Sequence, residues 1–348
     1  MNGQEQKAPF VSITLVCYNY AHLLSRALEA IGRQTFRDFE VIFIDNGGTD
    51  NSMQVAKEFF AAHPDIRATL LRNDDPDHSN AFGENLAVAH ATGEYLLFHD
   101  ADDWMDDNCL ELLAAAARCT DADRVICSFR DVNDDGKVLQ TQRVSPEKYR
   151  SKWNYGMQQG NLFRRSLYVE SGIKTVDSVF LDTIKTFAFN RVARKIGFVE
   201  PICYNYLVHT DSTSRNKELH HGMWEVPRKT FGVMLNEMFA TYTALTEEED
   251  RLRAEQQMTK SYYSYMLQFL RKAPFREMKE SYRKLHAMMR EKFPRYLKNP
   301  YLTLRKKYGN RFYARLATVL PAFCERTHLM IPALWCYHMI SKLIYIPV

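Results

Sequence analysis

Two hydrophobic periods alternate along the first part of the chain. Val11-Ser12-Ile13-Thr14-Leu15-Val16-Cys17 is a β-branched run that reads as a strand and stops at Tyr18-Asn19-Tyr20. Leu23, Leu24, Leu28 and Ile31 then recur at helical spacing, which predicts a helix from Ala21 to Gln34. A second apolar run, Phe39 to Ile44, ends in the polar stretch Asp45-Asn46-Gly47-Gly48-Thr49-Asp50-Asn51-Ser52. A helix from Met53 to Ala62, a strand from Ala68 to Leu71 and a helix from Asn80 to Ala91 are expected next. The unbroken run Tyr95-Leu96-Leu97-Phe98 comes after them and reads as a strand buried on both faces. Strand and helix alternating at this spacing predict a parallel sheet with crossover helices.

The pattern continues less regularly. A helix from Asp107 to Arg118, a strand from Arg124 to Phe129 and a hairpin turn at Asn133-Asp134-Asp135-Gly136 lead to a strand from Lys137 to Arg143. Residues 145–160 are irregular and aromatic. Helices ending near Gly172 and spanning Thr183 to Lys195 precede a strand from Phe198 to Leu207. From about Asn216 helical spacing dominates as far as Phe293, and Pro294, Pro300 and Pro321 punctuate the remainder of the chain. The expected fold is therefore α/β: a Rossmann-like, mostly parallel sheet flanked by helices over residues 1–215, then an α-helical region over 216–348.

Composition narrows the picture in two places. Seven cysteines are scattered with no Cys-x-x-Cys pair, so neither a zinc site nor a disulfide framework is expected. Met1 to Pro9 has no apolar core, and no stretch offers about 20 apolar residues, so neither a signal peptide nor a conventional membrane span is expected. The net charge is only +4, but it is unevenly spread. No Asp or Glu lies between Lys292 and Phe323, where Lys292, Arg295, Lys298, Arg305, Lys306, Lys307, Arg311 and Arg315 interleave with aromatics. Such a segment suits an anionic lipid surface or the solvated face of a packed helix. The corresponding location is the cytoplasm, peripheral at the inner face of the membrane.

The candidate chemistry sits where strands end. Asp100, Asp102 and Asp103 close the run that begins at Tyr95. Crowded carboxylates raise one another's pKa unless donors or a cation compensate, and Mg²⁺ or Mn²⁺ favours oxygen ligands. The competing reading makes Asp102 or Asp103 the cap of a helix starting near Met105. The first two strands also end in polar residues, so three strand ends share one edge and form a nucleotide-sized crevice. No G-x-G-x-x-G follows the first strand, which argues against a dinucleotide, and no Walker pattern is present.

In this order, these motifs resemble the family 2 glycosyltransferases of the GT-A fold. That family has a strand ending in Tyr-Asn, one ending Asp-Asp-Gly-Ser-Thr-Asp, one ending Asp-x-Asp-Asp, and a Glu-Asp pair opening a helix. The matching positions are Tyr18-Asn19, Asp45 to Asp50, Asp100 to Asp103 and Leu181-Asp182, and the likeness covers about residues 9 to 215. It implies inverting transfer from a nucleotide-sugar, a UDP-sugar favoured, to a glycan or lipid-linked acceptor of the cell surface. Val16, Tyr18, Asp45 and Asn85 would bind the nucleotide, and Asp100, Asp102 and Asp103 the ribose and sugar. Asp102, Asp100 and His209 would hold Mn²⁺ or Mg²⁺, and Asp182 would be the general base. Ser212, Ser214 and Arg215 would come next, on a loop closing over phosphate. A nucleic-acid partner is not expected, and the oligomeric state stays open.

Residue by residue, plainer readings compete. Tyr18 fits a core aromatic, Asp182 a helix cap and His209 a structural imidazole. The chain also departs from the family at Asn46, Gly48, Glu84, His99 and Leu181. Glu84 stands where many relatives have Arg, and a carboxylate there would repel a diphosphate rather than bind it. A weakly active scaffold or sugar-binding protein is the alternative these departures suggest. A sugar nucleotidyltransferase would need a glycine-rich basic loop near the N-terminus, which is absent.

Overall fold

The computed structural model describes residues 7–75, 77–147, 151–154, 157–209, 225–269, 273–305 and 312–343. The chain divides into two units, the first drawn from 1–146, 156–177 and 181–212 and the second from 147–155, 178–180 and 213–348. The boundary expected near Asn216 and the loop residues Ser212, Ser214 and Arg215 lie outside the described residues.

In the first unit, β1 (Val11–Cys17), α1 (Ala21–Gly32), β2 (Phe39–Asp45), α2 (Ser52–Ala62), β3 (Arg67–Arg72), α3 (Asn80–His90) and β4 (Tyr95–Asp100) follow the hydrophobic pattern closely. Then come β5 (Trp104–Met105), α4 (Cys109–Thr120), β6 (Arg124–Asn133), β7 (Val138–Gln142), β8 (Leu162–Arg164), α5 (Arg165–Glu170), α6 (Leu181–Val192) and β9 (Ile196–Val208). The strand order is β3-β2-β1-β4-β8-β6-β9-β5, with β7 on the side of β6. β2 shows why both sheet faces must be covered. Val41 and Phe43 enter one core with Leu24 and Leu28 of α1, while Ile42 and Ile44 enter the other with Ala87 of α3 and Phe189 of α6. Successive strand residues point to opposite faces, so a strand apolar at every position is stable only between two helical layers.

β1 runs parallel to β2 and β4, with Cys17 opposite Asp45 and Val16 opposite Asp100. The polar ends of these strands therefore do share one edge. The sheet is mixed, however: β8 is antiparallel to β4 and β6, and β5 to β9. β8 has three residues and β5 two, too few for a period to register. The predicted hairpin is present, closed by Gly136 N–H to Asn133 O at 2.9 Å and by Lys137 N–H to Asn133 Oδ1 at 2.8 Å.

The second unit contains α7 (Glu225–Thr243), α8 (Glu248–Ser264), which runs on as a π-helical turn, α9 (Phe275–Lys292), α10 (Phe312–Arg326) and α11 (Met330–Leu343). α9 buries Met278, Ser281, Tyr282, Leu285 and Met289, a single stripe at helical spacing. Pro321, which reads in the sequence as a break, lies inside α10. Proline removes one helical hydrogen bond and kinks rather than always terminates a helix.

Candidate active site at the sheet edge

The loop after β2 is built around Asp45 and Asn19. Asp45 is 1% exposed; its Oδ1 accepts from Gly48 N–H at 2.9 Å and its Oδ2 from Arg72 Nη1 at 2.8 Å. Asn19 adopts a positive φ of 58°, and its Oδ1 accepts from Thr49 N–H at 2.7 Å and Asp50 N–H at 3.3 Å. That side chain ties the end of β1 to the loop after β2. Asp50 steadies two helix starts, accepting from Ser52 N–H at 3.0 Å and Ala21 N–H at 2.9 Å. Gly47 must be glycine: its φ is +79°, and a Cβ would lie 2.2 Å from Nδ1 of His78. Asn46, where relatives carry a second Asp, donates to His78 O at 2.8 Å and Ser79 O at 3.1 Å. It fastens the loop that starts α3. Tyr18 is no core aromatic. It is 45% exposed and lies parallel to the His78 ring, centroids 6.4 Å apart, beyond Val16 at the end of β1.

The carboxylates after β4 separate into three environments. Asp103 is wholly buried; its Oδ1 accepts from Leu207 N–H at 2.8 Å and its Oδ2 from the Tyr204 hydroxyl at 3.0 Å. It thus fastens β4 to β9 and caps nothing. α4 starts later than expected, at Cys109, because Trp104 and Met105 pair with β9 instead. Asp102 keeps its carboxylate at the surface side, with Oδ2 2.9 Å from His209 Nε2. Arg26 braces this turn, donating to Asp102 O at 3.1 Å with its guanidinium 3.9 Å from the Trp104 ring centre. Asp100 lies between them. Burial, then the charges of Asp182 and Asp102, push it well above the usual carboxylate range. His99 faces inward beside Tyr204, and burial lowers it to about 4, so it is a neutral imidazole.

Among the described residues, no three His, Cys, Asp or Glu side chains converge to hold a cation by themselves. Asp102 and His209 nevertheless bring one carboxylate oxygen and one imidazole nitrogen within 2.9 Å of each other. Mg²⁺ and Mn²⁺ at phosphate sites commonly use one or two side chains and complete their shell with substrate oxygens and water. The donor set, with the Asp100 carboxyl beside it, fits such an ion.

Asp182 sits inside the first turn of α6, which begins one residue earlier, so it is not that helix's N-cap. Its Oδ2 accepts from Gln159 Nε2 at 3.0 Å, and the same nitrogen lies 3.4 Å from Asp100 Oδ2. Burial raises Asp182 to about 6, against the opposing pull of Lys185 and with a further push from Glu84. Glu84 is not a lone carboxylate. It pairs with the buried Lys185 ammonium, one turn along α6 from Asp182, and accepts from Thr175 Oγ1 at 2.6 Å. Its negative charge is therefore spent inside the protein. Asn85 is occupied as well, exchanging hydrogen bonds of 2.8 and 2.9 Å with the backbone of Thr175. That amide holds the Thr175 loop in place. The hydrophobic pattern gives no sign of Gln159 or Lys185 as site residues. Gln159 lies in the stretch read as irregular, and Gly160 shapes it: at φ +63°, a Cβ would sit 2.9 Å from the Tyr204 ring.

The model of glycosyl transferase family 2 matches residues 12–178, which hold every one of these strand ends except β9. The chain carries a glycosyl transferase family 2 domain. Among curated relatives, this glycosyltransferase is 28% identical over 233 residues to the uncharacterized glycosyltransferase YibD of Escherichia coli, covering 61% of the chain and 66% of YibD. It is also 28% identical over 216 residues to the hyaluronan synthase of Pasteurella multocida, covering 61% of the chain but only 22% of that enzyme. The chain thus spans less than two thirds of these relatives. The crystal structure of S. aureus TarS 1-349 in complex with UDP-GlcNAc superposes with a TM-score of 0.66 at 16% identity, covering 92% of each chain. That likeness shows the GT-A fold for this glycosyltransferase.

Proposed function

We propose that this enzyme transfers a sugar, with inversion, from a UDP-sugar to a hydroxyl of a glycan or lipid-linked acceptor in cell-surface polysaccharide synthesis. The carrying observation is the Gln159 amide held between Asp182 and Asp100, with Asp182 at about 6. A carboxylate with that pKa is ionised at neutral pH yet basic enough to take a proton in a transition state. The TarS structure with UDP-GlcNAc and the hyaluronan synthase relative support the donor and acceptor classes.

In this reading Asp182 removes the acceptor hydroxyl's proton as that oxygen bonds to the anomeric carbon. The bond from that carbon to the diphosphate breaks, and its electron pair leaves with the nucleotide. Gln159 holds Asp182 in place through its amide, and Tyr18 offers an exposed ring face for the base. Asp45, fixed by Arg72 and Gly48, shapes the nucleotide end of the crevice. Asp102 and His209 would hold Mn²⁺ or Mg²⁺, which when bound neutralises diphosphate charge as a Lewis acid. Residues 1–215 would do this chemistry and 216–348 would serve the acceptor or a surface.

The test is transfer or hydrolysis from a panel of UDP- and GDP-sugars, with Mn²⁺ or with chelator, in the presence of cell-envelope extract. Turnover lost in Asp182→Asn with UDP binding retained supports the reading. A wild-type chain that binds UDP but turns over no donor sinks it and favours the sugar-binding scaffold.

A further inference from the structure

We infer that the paired helices α10 and α11 dock on an anionic lipid surface, with Leu320, Phe323, Trp335, Met339 and Ile340 entering the boundary between headgroups and acyl chains. This rests on the second unit alone and not on the donor or the catalytic residues.

Both helices leave large apolar side chains in water. On α11, Pro332, Trp335, Cys336, Met339 and Ile340 follow the i, i+3, i+4, i+7, i+8 spacing of one helix face, and Trp335, Cys336, Met339 and Ile340 are exposed. Trp335 is 51% exposed and Ile340 49%. On α10, Leu320 and Phe323 are each 54% exposed. The inward side mixes polar and apolar residues: Thr318, Glu325 and His338 are buried along with Ala322, Met330 and Leu334. Leu320, Phe323, Trp335, Met339 and Ile340 together form an exposed apolar area of the kind that marks a non-aqueous neighbour. α10 and α11 pack on each other, so their apolar stripes belong to one local structure.

The charge around it selects the neighbour. From Lys292 to Val348 the sequence carries ten Lys and Arg against a single acid, Glu325, whose side chain is fully buried. Residues 297–303 lie along α10: Arg326 donates to Leu297 O near one end, and Arg315 and Val319 line a small cavity with Tyr301 and Thr303 nearer the other. A second copy of the chain seated on this face would bring the same basic segments together, whereas anionic headgroups would neutralise them. The helices have 15 and 14 residues, about 21–23 Å at 1.5 Å per residue, against a hydrocarbon layer of about 30 Å. No described helix is long and apolar enough to cross a membrane. The pair lies on a bilayer, not through it.

Flotation of the full chain with phosphatidylcholine vesicles, with or without phosphatidylglycerol, tests this. Binding is expected only with phosphatidylglycerol, to weaken as salt rises, and to fall tenfold or more in the Phe323→Ser/Trp335→Ser double variant. Both side chains are half exposed, so the variant's melting curve should match wild type and its donor turnover on a soluble acceptor should be unchanged. If turnover is absent in both proteins, the transferase reading fails while vesicle binding still reports on this one. Equal binding to both vesicle types, or binding unchanged in the variant, overturns the inference. So does a wild-type dimer, seen by light scattering, that the variant abolishes, because the face would then belong to a second copy.

Discussion

Glu325 in α10 and Asp182 in α6 are both carboxylates withdrawn from water, one in each unit. Around Glu325 the hydroxyls of Tyr262 at 2.7 Å, Tyr263 at 2.9 Å and Tyr296 all donate, and His286 Nδ1 lies 3.4 Å away. Burial alone would raise its pKa, but the donors from His286, Tyr296 and Tyr262 outweigh burial and hold it below the usual range. Asp182 has one amide donor and two acidic neighbours, and burial lifts it to about 6. The same chemical group is thus saturated with partners in one place and left short of them in the other. A saturated carboxylate has nothing left to offer a substrate, so its work is structural. An under-saturated one stores basicity that a proton or a cation can use.

The contrast breaks first at Asp182→Asn. If the under-saturated carboxylate is the base, turnover should fall by roughly 10²–10⁴-fold, the usual contribution of general base catalysis. Melting temperature should hold or rise, because an amide is easier to bury than a charge. Glu325→Ala should do the reverse. It strands three buried hydroxyls, and losing one side of a buried ionic network costs about 3–5 kcal/mol, visible as a lower denaturation midpoint. Turnover per folded molecule should not change. A Glu325→Ala protein of wild-type stability would show that the tyrosine network contributes little.

The two carboxylates should also respond oppositely to pH. Glu325 has a folded pKa below its unfolded one, so its contribution to stability is present above the ordinary glutamate value and is lost as pH falls through the folded pKa. Asp182 is raised, so its contribution is present below the ordinary aspartate value and is lost as pH rises through about 6. Activity runs the other way from Asp182's contribution to stability, since a base works only when deprotonated. kcat/KM should climb about tenfold per pH unit up to about 6 and then level, as a rate profile on the free enzyme would show. A profile that stays flat on both sides of its value of about 6 would remove Asp182 from the base role.

Much of the sheet edge was legible because its signal is local. β1, β2 and β4 are unbroken apolar runs that end in polar residues, and parallel register then places those ends together. The partners that decide what each carboxylate does are remote. Asp103 is satisfied by Tyr204 and Leu207, more than a hundred residues later, so its buried, non-capping role has no local trace. Glu84 reads as a repulsive departure for the same reason: Lys185, which neutralises it, lies 101 residues on. β8 is too short to carry a period, and Gln159 stands just before it in an aromatic, irregular stretch. Pattern decides which residues reach the edge, whereas long-range contacts decide which of them stay free to act.

Lys185 offers the smallest and most specific test of the contrast, because it couples Asp182 to Glu84. Its ammonium is fully buried, rests 3.6 Å from the Phe98 ring centre and pairs with Glu84. It opposes the rise in the Asp182 pKa, while Glu84 adds to it. Lys185→Met removes the charge that favours the ionised base and leaves Glu84 without its ion pair. The acid limb of the rate profile should therefore move upward by about one pH unit, since an opposite charge at this range typically shifts a carboxylate by about 1–3 units. Adding Glu84→Gln removes the opposing charge too, so the double variant's limb should return toward wild type and its stability should recover, a coupling read directly from the double-mutant cycle. If the single and double variants both keep the wild-type limb, Glu84 and Lys185 do not set the basicity of Asp182, and its position near 6 follows from burial alone.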